Sequence, residues 1–140
     1  MAGNNNIHIL VAEDNESHRR VSKLMLTRLG YESDIVPNAT GAIKAVKHSH
    51  SDLVLMDLVM PGMNGLQAAR EIRKLGKNGL RVIGITAYVV PGIREMCLDA
   101  GMDDCITKPV RLGELAEVLK KRLQEAQNLA TRETRRLHSL

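Results

Sequence analysis

Leu53-Val54-Leu55-Met56-Asp57 is four apolar residues in a row, closed abruptly by an acid. A strand with one wet face alternates apolar and polar residues. An unbroken apolar run suits a strand buried on both faces, as in a parallel sheet covered by helices. Two other stretches are built the same way. Ile7-His8-Ile9-Leu10-Val11-Ala12 runs into Glu13-Asp14-Asn15, and Arg81-Val82-Ile83-Gly84-Ile85 runs into Thr86. Tyr31 to Val36 is a weaker strand, its Glu32 and Asp34 alternating with apolar neighbours as at a sheet edge. A short strand around Cys105-Ile106-Thr107 leads into Lys108-Pro109.

Helical spacing fills the gaps. Asn15 or Ser17 is placed to cap a helix whose Val21, Leu24, Met25 and Leu29 recur on one face, with Gly30 as its stop. Pro37-Asn38 precedes a helix carrying Ala42, Ile43 and Val46, and Asn64-Gly65 precedes one carrying Leu66, Ala69, Ile72 and Leu75. Pro91 suits the first turn of a helix with Met96, Cys97 and Ala100, closed by Gly101. The last helix begins near Leu112 and turns Leu115, Val118 and Leu119 to one side. Strand and helix alternate five times. That predicts an α/β fold, a five-stranded parallel sheet with helices on both faces, because parallel strands need crossover connections. A chain of 140 residues suits one domain.

Composition narrows the function. Hydrophobic residues make up 44% and charged residues 26%, which argues against global disorder. Phe and Trp are absent and Tyr occurs twice, so the core is aliphatic and the reading as a base-stacking platform is weakened. The apolar runs are too short for membrane insertion. Cys97 and Cys105 lack metal-ligand spacing, and the reading is a cytoplasmic chain with reduced thiols. The formal net charge is +4, yet residues 1–119 hold fourteen basic and fourteen acidic side chains. All the excess sits in residues 120–140, which reads as a solvated helix face rather than a nucleic-acid surface.

The polar residues that close the strands carry the chemistry. Glu13-Asp14 ends the first strand, Asp57 the third, Thr86 the fourth and Lys108 the fifth. Open α/β sheets bind their ligands at the carboxyl ends of the strands. Three acids, a hydroxyl and an ammonium therefore converge on one crevice. Crowded carboxylates take up protons unless a cation intervenes, and oxygen-only ligands suit Mg²⁺ rather than zinc. Such a site can position a phosphoryl donor, and a carboxylate can itself be the nucleophile.

Glu13-Asp14, Asp57 with Met60-Pro61 and Gly65, Thr86-Ala87, and Ala100-Gly101-Met102-Asp103-Asp104 before Lys108-Pro109 together resemble the response-regulator receiver family of two-component signalling. The resemblance covers roughly residues 7–123, and its variants are most similar to receivers of hybrid sensor histidine kinases. It implies a flavodoxin-like (βα)5 fold with strand order 2-1-3-4-5 and helices on both faces. It implies that Asp57 accepts phosphate from the phosphohistidine of a sensor histidine kinase or histidine phosphotransfer protein. Glu13, Asp14, Asp57 and the Val59 backbone carbonyl would hold Mg²⁺. Lys108 would pair with Asp57 and then with the phosphoryl group, Thr86 would hydrogen-bond that group, and Lys108-Pro109 would be a cis peptide. The switched surface would be the fourth helix, fifth strand and fifth helix, read by an effector or a neighbouring domain. Tyr88 would border the site and limit water access. Many receivers carry an aromatic ring three residues before the lysine; here that position is Cys105, so a swinging ring is lost.

Residues 1–6 are expected to be a disordered lead-in, and residues 124–140 a basic tail or an extension of the last helix. The competing reading is an aspartate-nucleophile phosphatase, in which a second acid two residues after the nucleophile handles the proton. Val59 stands there instead. The chain is therefore read as a phosphorylation-switched module and not as an enzyme with an external substrate.

Overall fold

A computed structural model describes residues 6–138. The expectation for residues 1–6 lies outside the described residues except at Asn6. The order is β1 (His8–Ala12), α1 (Glu16–Arg28), β2 (Glu32–Val36), α2 (Ala39–His48), β3 (Leu53–Asp57), α3 (Gly65–Lys74), β4 (Arg81–Thr86), α4 (Ile93–Asp99), β5 (Asp104–Thr107) and α5 (Leu112–His138). All pairings are parallel and the sheet order is β2-β1-β3-β4-β5, as expected for the flavodoxin-like arrangement.

Alternate residues of each strand feed two separate cores. Leu10, Ala12, Val54, Met56 and Val82 pack with Ala42 and Val46 of α2, Ala69 and Ile72 of α3 and Cys97 of α4. Ile9, Val11, Leu53, Leu55, Ile83 and Ile106 pack with Leu26 of α1 and Leu115, Leu119 and Leu123 of α5. Fully burying each such Leu or Ile contributes about 1.5–3 kcal/mol, which explains why β3 is apolar at every residue before Asp57. In the register Ala12 lies opposite Met56, Asp57 opposite Ile85 and Thr86 opposite Thr107. The strands thus finish nearly level, and their closing polar residues emerge on one edge.

Three helices start on an asparagine. The side chains of Asn15, Asn38 and Asn64 accept the backbone N–H of His18, Gly41 and Gln67, satisfying donors that have no partner within the helix. Two helix readings need correction. The face of α1 that meets the sheet is centred on Leu26, which is fully buried, whereas Val21 and Leu24 are 51% and 71% exposed. Pro91 lies outside α4, whose first turn follows Gly92 in the left-handed region at φ 83°. Tyr31 precedes β2 and is buried against the α1 and α5 side of the sheet. The last helix continues through residues 124–138, 27 residues in all. Among the described residues no helix is long and apolar enough to cross a membrane.

Candidate functional site

Two buried carboxylates stand where neighbouring strands end. Glu13 directly follows β1 and Asp57 closes β3, at 5% and 6% exposure, while Asp14 is exposed. One carboxylate oxygen from each lies within 4.8 Å of the other two. Lys108, just beyond β5, sends its ammonium into this cluster. Nζ donates to Asp57 Oδ2 at 2.8 Å and to Glu13 Oε1 at 2.9 Å. Its backbone N–H donates to the Thr86 carbonyl at 2.8 Å, and the Lys108–Pro109 bond is cis. Asp57 Oδ1 accepts the Val59 N–H at 3.0 Å, and Glu13 Oε2 accepts the Asn15 N–H at 3.2 Å.

Three acids cluster here, and the one ammonium reaches two of them, Asp57 and Glu13. Burial raises the Glu13 pKa above the ordinary carboxylate value; the Lys108 hydrogen bond opposes this and nearby Asp57 reinforces it. Burial also works against the charge on Lys108, but Asp57 and Glu13 outweigh it and hold the ammonium above the usual lysine range. The residual negative charge, presented by carboxylate oxygens alone, fits a hard divalent cation. Among the described residues this is the one group of three or more acidic, His or Cys side chains with such geometry. A cavity of about 280 Å³ opens over it, lined by Asp14, His18, Val59, Ala87, Tyr88 and Lys108 besides the buried acids.

The sequence profile of the response regulator receiver domain matches residues 9–120. The chain belongs to the response regulator receiver domain family. It is 35% identical to the sensor histidine kinase RcsC of Escherichia coli K12 over 119 residues, covering 85% of this chain and 12% of that protein. This receiver therefore spans about an eighth of the length of that kinase. It is 36% identical to the receiver domain of the Pseudomonas aeruginosa sensor histidine kinase PA1611, solved with a magnesium ion coordinated in its active-site cleft, with TM-score 0.77 over 84% of this chain and 98% of that one. A chain of the Saccharomyces cerevisiae complex between the phosphotransfer protein Ypd1 and the receiver domain of Ssk1 matches at 26% identity, with TM-score 0.73 over 79% of this chain and 83% of that chain. The protein is a receiver domain of two-component phosphorelay signalling.

The receiver's remaining candidates fall into two groups. Thr86 is buried, and its hydroxyl oxygen accepts the Tyr88 N–H at 3.0 Å, so residue and loop are linked directly. Tyr88 is exposed at the cavity rim. Cys105 is not at the cavity. Burial, together with the neighbouring Cys97 thiol, pushes its pKa up to about 12. It is a half-buried neutral thiol packed against the α2–α4 core.

Sequence reasoning missed two residues. Gly65, given no role at the site by its sequence, opens α3 against the backbone of Asp57; a Cβ there would lie 2.4 Å from the Asp57 carbonyl oxygen. The Asn64-Gly65 pair at the helix start is the available signal, and it does not reveal the close approach to Asp57. His18, which no motif singles out, places Nδ1 3.1 Å from Lys108 Nζ. No spacing along the chain connects the two.

Proposed function

We propose that Asp57 is the phosphoacceptor, taking a phosphoryl group from a phosphohistidine. The observation that carries this reading is the Lys108 ammonium held between Asp57 and Glu13 at the end of the sheet. An Asp57 carboxylate oxygen forms a bond to phosphorus as the P–N bond of the donor breaks and the imidazole leaves with its electron pair. Lys108 and the Val59 N–H hold the two Asp57 oxygens in a fixed orientation before the transfer. Afterwards the ammonium offsets charge on the phosphoryl oxygens. Thr86 still has its own O–H to donate. Turning it towards a phosphoryl oxygen weakens the bond to Tyr88 N–H and draws the β4–α4 loop inward, changing the α4–β5–α5 surface for an effector or neighbouring domain. Tyr88 shields the acyl phosphate from water.

Glu13, Asp14, Asp57 and the Val59 carbonyl would hold Mg²⁺, which supplies charge neutralisation for the phosphoryl oxygens when bound. Residues 7–123 form the receiver unit in this reading. The module catalyses its own phosphorylation and dephosphorylation without an external substrate, and an aspartate-based phosphatase is disfavoured because Val59 brings only a backbone N–H to Asp57. The donor is a sensor histidine kinase or a histidine phosphotransfer protein, as in the yeast complex, and free thiols at Cys97 and Cys105 accord with the cytoplasm.

Incubation with acetyl phosphate and Mg²⁺ followed by intact mass tests the reading. A single addition of about 80 Da is expected, absent in Asp57→Asn and absent with a chelator. A well-folded wild-type chain that gains no such mass overturns it.

A further inference from the structure

An ammonium has three hydrogens to donate and accepts nothing. Lys108 Nζ has three partners: Asp57 Oδ2 at 2.8 Å, Glu13 Oε1 at 2.9 Å and His18 Nδ1 at 3.1 Å. The tripod is complete only with the imidazole. His18 stands in the first turn of α1, where its backbone N–H is taken by the Asn15 cap at 3.0 Å. The adjacent Arg19 ties the same turn to the β1–α1 loop, donating to the Glu13 and Asp14 carbonyls at 3.0 and 2.8 Å. The helix start is thereby pinned to the residues it serves, and the ring is laid over Lys108 at the cavity rim.

We infer that His18 is a positioning residue for Lys108, an inference resting on the phosphoacceptor reading above. Two of the tripod's acceptors have a second claim on them. Asp57 becomes an acyl phosphate when phosphorylated, and Glu13 belongs to the carboxylate set suited to a cation. His18 has neither obligation; its Nδ1 also lies 3.6 Å from Glu13 Oε1, but Lys108 Nζ at 3.1 Å is the nearer partner, so it is the acceptor that keeps the ammonium aimed at the pocket while the others change partners. To accept, Nδ1 must present its lone pair, which puts the ring hydrogen on Nε2. An asparagine carries its amide oxygen as many bonds from Cα as Nδ1 lies, so it can take over the role. Leucine cannot. A histidine that merely faces solvent would tolerate all three residues equally.

The test compares wild type, His18→Leu and His18→Asn for the rate of mass gain from acetyl phosphate and Mg²⁺, with folding checked by amide spectra. His18→Leu is expected to slow uptake about tenfold, the scale of one hydrogen bond to a charged group, and His18→Asn to stay within about twofold of wild type. Nitrogen-15 spectra of the unphosphorylated wild type should show His18 as the Nε2–H tautomer. Equal rates for His18→Leu and wild type, an asparagine variant as slow as the leucine one, or an Nδ1–H tautomer would each overturn the inference. A wild type that takes no phosphoryl group removes the phosphoacceptor reading itself, and the tautomer measurement separates the two failures because it needs no phosphorylation.

Discussion

The chain contains two sets of clustered acids, and they behave oppositely. Glu13, Asp14 and Asp57 lie together with a single ammonium, which bonds only Glu13 and Asp57. Asp103 and Asp104 are surrounded by guanidinium groups. Asp103 accepts from Arg73 at 2.8 Å, Arg81 at 3.1 Å and the Val82 N–H at 2.8 Å. Asp104 accepts from Arg94 at 2.8 Å, Arg122 at 3.0 Å and the Cys105 N–H at 2.8 Å. Saturated acids brace: Asp103 joins α3 to the start of β4, and Asp104 joins α4 to α5. Unsaturated acids keep a field available for a cation and a phosphoryl group. Carboxylate chemistry is the same in both places, and the number of cationic partners separates scaffold from site.

The strongest way to break this contrast is to exchange the roles. Asp14→Ala should lower phosphoryl uptake by about a hundredfold or more, the scale of lost cation-assisted charge stabilisation, whereas Asp104→Ala should leave the rate near wild type; intact mass over time reads both. Stability should move the other way. Asp103→Ala should cost about 3 kcal/mol in urea unfolding, because it strands two arginines and a backbone N–H, while Asp14→Ala without metal should be neutral or stabilising through relief of repulsion. Equal costs would erase the distinction.

Gly65→Ala should destabilise by about 2 kcal/mol and also slow uptake, since the new methyl group must push the Asp57 backbone away. A stability loss with an unchanged uptake rate would show that α3 is free to shift without moving the acceptor.

The smallest effect is in pH. Burial would raise the Asp104 pKa, but Arg94, the Cys105 N–H and Arg122 outweigh it and hold it below the ordinary aspartate value of 3.8. Its stabilisation is therefore fully present above the unfolded pKa and is lost as pH falls through the lower folded value. The stability gap between wild type and Asp104→Asn should be constant near neutrality and shrink below pH of about 4. A gap that widens on acidification would contradict the bracing role. Glu13 has the reverse sign: its raised pKa makes its ionisation cost stability as pH rises from 4.5 through the folded value.

The parallel sheet and its polar edge were legible because β1, β3 and β4 are largely apolar runs closed by polar residues, whereas the strand order came only with the family resemblance. Asp57, Glu13 and Lys108 followed from that placement together with the family pattern. The α1 face was not legible in the same way. Val21, Leu24, Met25 and Leu29 share helical spacing, but so do Ser22, Met25, Leu26 and Leu29, and only the position of the sheet decides between them. His18 and the arginine partners of Asp103 and Asp104 were hidden for a simpler reason. Their contacts span many residues of chain, as between Lys108 and His18, and no local pattern announces them. Gly65 was visible as a glycine, while its pressure on Asp57 was not.

Helix α5 has 27 residues, which at 1.5 Å each makes a rod about 40 Å long. Arg122 fastens its middle to Asp104 on the same strand that delivers Lys108. The 15 residues beyond Leu123 form a long lever arm: a rotation of about five degrees about Leu123 would carry the far tip through roughly 2 Å.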